Sequence, residues 1–137
     1  MPARTVSSSM TRSPITVDRS TSMAHALRIM EEGGFRHLPV LEGGRLVGVV
    51  AERELRVVEN MRGIDSAFCT VGDFILAPPY SVAPDAPVRE VARVMSTRKY
   101  GSAVVVEGEQ VVGVFTTTDA LAVLADVLEE HDRGAAS

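Results

Sequence analysis

Apolar and polar positions along the chain switch between an alternating and a helical period, and they run through the same order twice. After Pro14, the β-branched run Ile15-Thr16-Val17 favours a short strand. Met23, Ala26-Leu27 and Met30 then recur at helical spacing, with Ser20 or Ser22 as the start signal and Gly33-Gly34 as the stop. Leu38–Leu41 and Leu46–Ala51 read as a strand pair around a Glu42-Gly43-Gly44-Arg45 turn. A second helix over Glu52–Met61 closes the unit.

The second half repeats this string. Tyr80-Ser81-Val82 follows Pro79, and Asp85 with Pro87 precedes a helix on Val88, Val91-Ala92 and Met95. Ala103–Val106 and Val111–Thr116 flank a Glu107-Gly108-Glu109-Gln110 turn, and a helix runs from Thr117 to about Glu130. Sliding the chain by 65 residues superposes Val6 on Val71, Pro14 on Pro79, Arg28 on Arg93 and Met30 on Met95, with no gap. Val40 and Glu42-Gly43 likewise fall on Val105 and Glu107-Gly108, and Val47-Gly48-Val49 on Val112-Gly113-Val114. Ile15/Tyr80 and Phe35/Tyr100 swap like for like. The expected organisation is a first repeat at 6–62, a linker at 63–70, a second repeat at 71–131 and a flexible tail at 132–137. Val71–Leu76 mirrors the lead-in at Val6–Thr11.

Composition narrows the class. With 137 residues, 45% hydrophobic and 23% charged, the chain can bury the core of one ordinary domain. The longest uncharged stretch, Phe74–Pro84, contains three prolines and is far short of a membrane span. The first ten residues carry no apolar signal region, so the expected location is cytoplasmic. The net charge of −4 disfavours nucleic acid as a partner. Cys69 alone makes neither a disulfide nor a cysteine metal site, and His25, His37 and His131 have no partner at ligand spacing. No catalytic constellation, and so no enzyme or catalytic cofactor, is expected.

Tandem β-α-β-β-α units of this kind resemble the cystathionine β-synthase (CBS) domain pair, or Bateman module. The resemblance rests on Pro14-Ile15-Thr16-Val17, His37-Leu38-Pro39-Val40 and Leu46–Leu55 in the first repeat. In the second it rests on Pro79-Tyr80-Ser81-Val82 and Val111–Asp119, which ends Gly-Val-Phe-Thr-Thr-Thr-Asp. It implies an α/β (α+β) fold in which the two repeats pack as a pseudo-two-fold pair with two clefts for adenosine compounds: AMP, ADP, ATP or S-adenosylmethionine. Carried over to this chain, Asp119 would hold the ribose hydroxyls, with Thr116 beside it near the sugar-phosphate and Thr118 also among the ligand-binding residues. Tyr80, Ser81 and Val82, with Ser102, Ala103 and Val104, would hold the adenine. Locally, Thr116 and Asp119 also fit a simple helix cap.

The two sites differ in the sequence. Ala51 and Glu54 stand where the second repeat has Thr116 and Asp119, so the second site is expected to be the better one. Arg36, His37 and Arg53 offer positive charge instead, as possible phosphate contacts in the shared cleft. The helix Ala120–Leu128 is apolar almost all round, which points to a homodimer through the second helices, as the resemblance also implies. The expected function is a regulatory ligand sensor that signals to a separate effector protein. The alternative is a ligand-free dimerisation module.

Overall fold

The chain folds into eleven elements in the computed structural model, which describes residues 4–75 and 78–136. Their order is β1 (Thr11–Arg12), β2 (Val17–Asp18), α1 (Met23–Gly33), β3 (His37–Glu42), β4 (Arg45–Ala51), α2 (Glu52–Glu59), β5 (Ser81–Val82), α3 (Val88–Arg98), β6 (Ser102–Glu107), β7 (Gln110–Thr116) and α4 (Thr117–Ala136). Short 3₁₀ turns at Val6–Ser8 and Val71–Phe74 open the two repeats. The β-α-β-β-α order stands in both halves.

Several element ends differ from the expectation, each for a local reason. Ser22, not Ser20, caps α1, its hydroxyl accepting from His25 N at 3.1 Å. Asp85 does not cap α3: Pro87 occupies that position without a side-chain bond. α2 stops at Glu59, two residues early, where the Asn60 amide donates back to the Arg56 carbonyl at 2.9 Å. α4 continues through 132–136, where a flexible tail was expected; Gly134 takes no left-handed backbone turn that would end it. Leu76, at the end of the second lead-in, and Ser137 lie outside the described residues.

By packing, the chain divides into two units. One gathers residues 4–12, 80–107 and 112–136; the other gathers 13–75, 78–79 and the turn 108–111. The second of these holds a sheet in the order β2-β3-β4, with β2 parallel to β3 and β3 antiparallel to β4. Met23, Ala26, Leu27 and Met30 of α1 bury against Leu38, Val40 and Val50, the alternate positions on one sheet face, and Leu55 of α2 joins them. The other unit holds β1-β7-β6-β5, with β5 parallel to β6 and β1 antiparallel to β7. There Val88, Val91 and Met95 of α3 bury against Ala103, Val105 and Phe115.

The packing units are cut differently from the sequence repeats, because the lead-ins cross. Val6, fully buried, belongs to the core that contains α3; Val71, also fully buried, belongs to the core that contains α1. The backbone bonds that seat them form matched sets at the 65-residue offset. Val88 N donates to Arg4 O and Met23 N to Cys69 O, both at 2.8 Å. Val6 N donates to Ala86 O and Val71 N to Thr21 O, both at 2.9 Å. The crossing chain thus supplies an acceptor to the first N–H of α1 and of α3 alike. Cys69 is half-buried against the α1 core, in keeping with a packing role.

Candidate functional site

The chemistry-bearing residues of the second repeat gather at one end of the sheet β1-β7-β6-β5, where β7 runs directly into α4. Thr116 N and Thr116 Oγ1 donate to Asp119 Oδ2 at 2.9 and 3.1 Å, and Asp119 N donates to Thr116 Oγ1 at 3.3 Å. These reciprocal bonds are a capping box, so the cap that the local sequence allowed is formed. Oδ1 of Asp119 takes part in none of them. Thr116 and Asp119 are half-buried, and Thr118 is exposed one residue away. Thr117 ties this junction to the neighbouring strand: its N–H and its hydroxyl donate to Gly101 O at 3.1 and 3.2 Å.

Tyr80, Ser81 and Val82 lie beside β6 at the same end. Val104 N donates to Tyr80 O at 2.9 Å, and Ser81 and Val82 register with Val104 and Val105. Along β6, Ala103 and Val105 enter the α3 core, so alternation turns Ser102 and Val104 to the opposite sheet face, where both are buried. The Ala103 side chain is therefore committed to the core and offers a ligand only its backbone. Tyr80 and Val82 pack against that core from its edge, and Ser81 is exposed. The structure thus brings Tyr80, Ser81, Ser102, Val104, Thr116 and Asp119 to one sheet end.

Tyr100, matched like for like to Phe35 at the 65-residue offset, joins them. Its ring lies 5.5 Å from that of Tyr80, centroid to centroid, with the planes tilted by 33°. Burial, with Glu90 and then Tyr100 adding to it, holds the Tyr80 hydroxyl above the ordinary tyrosine range. A signal was present: the only two tyrosines of the chain flank the second repeat's first helix.

The corresponding junction of the first repeat is built without the side-chain chemistry. Glu52 N donates to Arg36 O at 2.8 Å, the counterpart of the Thr117–Gly101 bond, but Ala51 caps α2 with no side-chain bond. Arg36, Arg53 and Glu54 are all exposed around this helix start, and His37 is half-buried at the opening of β3. Among the described residues no group of His, Cys, Asp and Glu is placed to hold a metal ion, and no helix is long and apolar enough to cross a membrane.

Two β-α-β-β-α units at a constant offset, each contributing its own sheet, define a tandem-repeat α/β module. The CBS domain profile matches residues 3–59 and 71–126, and the chain belongs to the CBS domain family as a tandem pair. It is 32% identical over 109 residues to the inosine-5'-monophosphate dehydrogenase of Korarchaeum cryptofilum, covering 79% of this chain and 22% of that enzyme. The chain spans less than half the length of most curated relatives it matches. Among solved structures, the CBS domain pair of protein MJ0100 with 5'-methylthioadenosine and S-adenosyl-L-methionine superposes with a TM-score of 0.81. That pair is 24% identical, with 91% of this chain and 98% of that one covered. CBSX2 in complex with AMP superposes with a TM-score of 0.73 at 24% identity, covering 90% and 97%.

Proposed function

We propose that this chain is a regulatory module that binds an adenosine-containing small molecule, of the AMP, ADP, ATP or S-adenosylmethionine type, chiefly at the second-repeat site. The observation that carries the reading is the Thr116–Asp119 pair at the β7–α4 junction, set against Ala51 and Glu54 at the matching junction. With Oδ2 engaged in the cap, Oδ1 of Asp119 remains to accept from a ribose cis-diol. Thr118, whose N–H lies between the two that are engaged by Gly101 and Thr116, would meet the charge that a sugar-phosphate brings at the start of α4, with Thr116 beside it. Ser102, Val104 and Tyr80 line the sheet end beside them, where the base would lie. CBS pairs of the same fold solved with AMP and with adenosyl ligands support this choice of ligand class. Arg36 and Arg53 would serve a weaker first-repeat site as phosphate contacts, with His37 and Glu54 beside them.

In this reading the ligand acts by its differential affinity for two arrangements of the protein, and a separate effector protein reads the outcome. The role is regulatory, with no reaction of its own. Calorimetry and thermal shift against AMP, ADP, ATP, S-adenosylmethionine and GMP test it. A ligand at a hundred times its Kd adds about 2.7 kcal/mol to stability. Asp119→Asn is the informative variant, because the amide oxygen still accepts from Thr116 N while the second acceptor becomes a donor. Binding by the parent chain, lost in Asp119→Asn at unchanged unliganded stability, is the expected result. Absence of binding by every compound overturns the reading.

A second reading, a ligand-free dimerisation module, is favoured by the capping box, which occupies Asp119 without any ligand, and by the outer face of α4. Leu121, Leu124, Val127 and Leu128 follow helical spacing there, and Leu121 is 59% exposed. A homodimer through the second helices is compatible with either reading, and Leu121→Glu with Leu124→Glu should convert it to a monomer in sedimentation. Ligand binding that survives this change separates the two roles.

A further inference from the structure

The outward faces of α1 and α3 differ in charge, although the two helices match residue for residue at the 65-residue offset. On α1, Arg28 stands with Glu31 and Glu32, and Arg56 of α2 approaches Glu31 at 3.8 Å. On α3 those two acids are replaced by Ser96 and Thr97, while Arg89 stands for Ala24, and Arg98 and Lys99 stand for Gly33 and Gly34. Arg89, Arg93, Arg98 and Lys99 are all exposed, with Glu90 the one carboxylate between them. None of the four makes an ion pair among the described residues. Two of them sit where local stability disfavours them. Arg89 is the second residue of α3, at the positive end of the helix dipole, where a carboxylate is the favoured side chain. Lys99 holds φ 60°, a left-handed backbone that Gly34 takes up without strain after α1. The dipole accounts for Arg98 at the far end of α3, but it opposes Arg89 and does not relieve the backbone at Lys99. Arg89 and Arg93 lie one helical turn apart, opposite to Val88, Val91 and Met95, which enter the core.

We propose that this face of α3 is a docking surface for an acidic segment of a partner protein, one that presents carboxylates a helical turn apart. Guanidinium groups at this spacing, about 5–6 Å between Cβ atoms, can each take one carboxylate through two parallel N–H donors. Cations kept against local stability, with no counter-charge inside the molecule, are explained by a counter-charge that arrives from outside. A nucleic acid fits less well, because the patch is confined to one eleven-residue helix and the residue after it, and the chain as a whole has a net charge of −4. The exposed cations attract an acidic partner at long range, so association is fast and weakens as salt screens it. Docking here needs no ligand at the β7–α4 junction and stands apart from the nucleoside reading.

The probe is a fluorescein-labelled, alanine-based helical peptide with glutamates paired at i and i+4, and its control carries glutamine at those positions. Anisotropy titrations compare the parent chain, Arg89→Glu with Arg93→Glu, and Lys99→Gly. Arg28→Glu with Arg62→Glu changes the net charge equally away from α3 and serves as the control chain. The parent chain should bind the glutamate peptide, less tightly as salt is raised, and should not bind the glutamine peptide. Reversing Arg89 and Arg93 should weaken binding roughly tenfold or more, and reversing Arg28 and Arg62 less than about twofold. Lys99→Gly should weaken it roughly two- to fivefold while Tm rises, a pairing that a merely structural lysine does not produce. Equal loss in the two double variants, or no binding of the glutamate peptide by the parent chain, overturns the proposal. Tighter binding of duplex DNA or of phosphatidylserine vesicles, lost in Arg89→Glu with Arg93→Glu, overturns it as well and assigns the face to phosphate.

Discussion

Lys99 occupies a left-handed backbone conformation, φ 60°, at the C-cap of α3, whereas the matching residue after α1 is Gly34 at φ 71°. A side chain at such a position carries a cost that glycine does not. Lys99→Gly should therefore stabilise the chain by about 1 kcal/mol, seen as a rise of a few degrees in Tm. A fall in Tm would show that the lysine side chain contributes more than the strain takes away. Asp18 gives the acid response of one residue. The Ser20 hydroxyl and then its N–H donate to the carboxylate, at 2.6 and 2.8 Å, and hold this carboxyl below the usual aspartate range. The contribution is complete above the unfolded-state pKa and is lost as pH falls through the lowered folded-state value. Acid titration followed by circular dichroism should show a shallower low-pH decline in Asp18→Asn than in the parent chain. Identical curves would mean that these bonds do not favour the folded state.

At the scale of elements, a glycine in the second strand of each hairpin lets a lead-in side chain lie on the sheet. A Cβ on Gly48 would sit 2.7 to 2.9 Å from three side-chain atoms of Ile75; one on Gly113 would collide with the Met10 sulfur and sit 3.0 Å from Thr11 O. Met10 and Ile75 are themselves matched at the 65-residue offset, so the two contacts are one design used twice. Gly48→Ala should cost about 1–3 kcal/mol, as overpacking does, and Ile75→Ala in the same chain should restore part of it. Strict additivity of the two changes in urea unfolding would exclude this contact as the cause. α4 extends the comparison, because α2 ends at Glu59 while α4 continues to Ala136, and Arg4 reaches Glu130 on that extension at 2.7 Å.

For the whole molecule, the crossed lead-ins mean that each core is completed by a segment belonging to the other half of the sequence. Val6→Ala should cost about 2 kcal/mol, since it empties a fully buried site. Its effect on hydrogen exchange should fall on α3, β6 and β7, around Val6, and spare α1, β3 and β4. Val71→Ala should show the reverse distribution. Loss of protection that followed the sequence repeats, with Val6→Ala loosening α1, would overturn this account of the packing. The proposed binding site lies within the unit that Val6 completes, so Val6→Ala should also weaken any ligand held at the β7–α4 junction.

The order of elements, the duplication and the Thr116–Asp119 constellation were legible in the sequence, because each is written within a few residues. Hydrophobic period, turn glycines and the three-residue spacing of a capping box are local properties, and the constant offset showed them twice. The short strand β1 and the destinations of the lead-ins were not legible. Val6 and Val71 are the same residue in the same pattern, and nothing local says whether such a segment packs on its own repeat or on the other. Only the return of the chain decides that. The aromatic pair was hidden for a related reason: Phe35 and Tyr100 match as neighbours in sequence, but their rings part company at Gly33 and Arg98, where one Cβ closes the space that the other ring fills. Local chemistry determined which elements form and which residues could carry the site. The tertiary structure decided which surfaces those side chains reach, because steric exclusion and burial depend on atoms that lie far away along the chain.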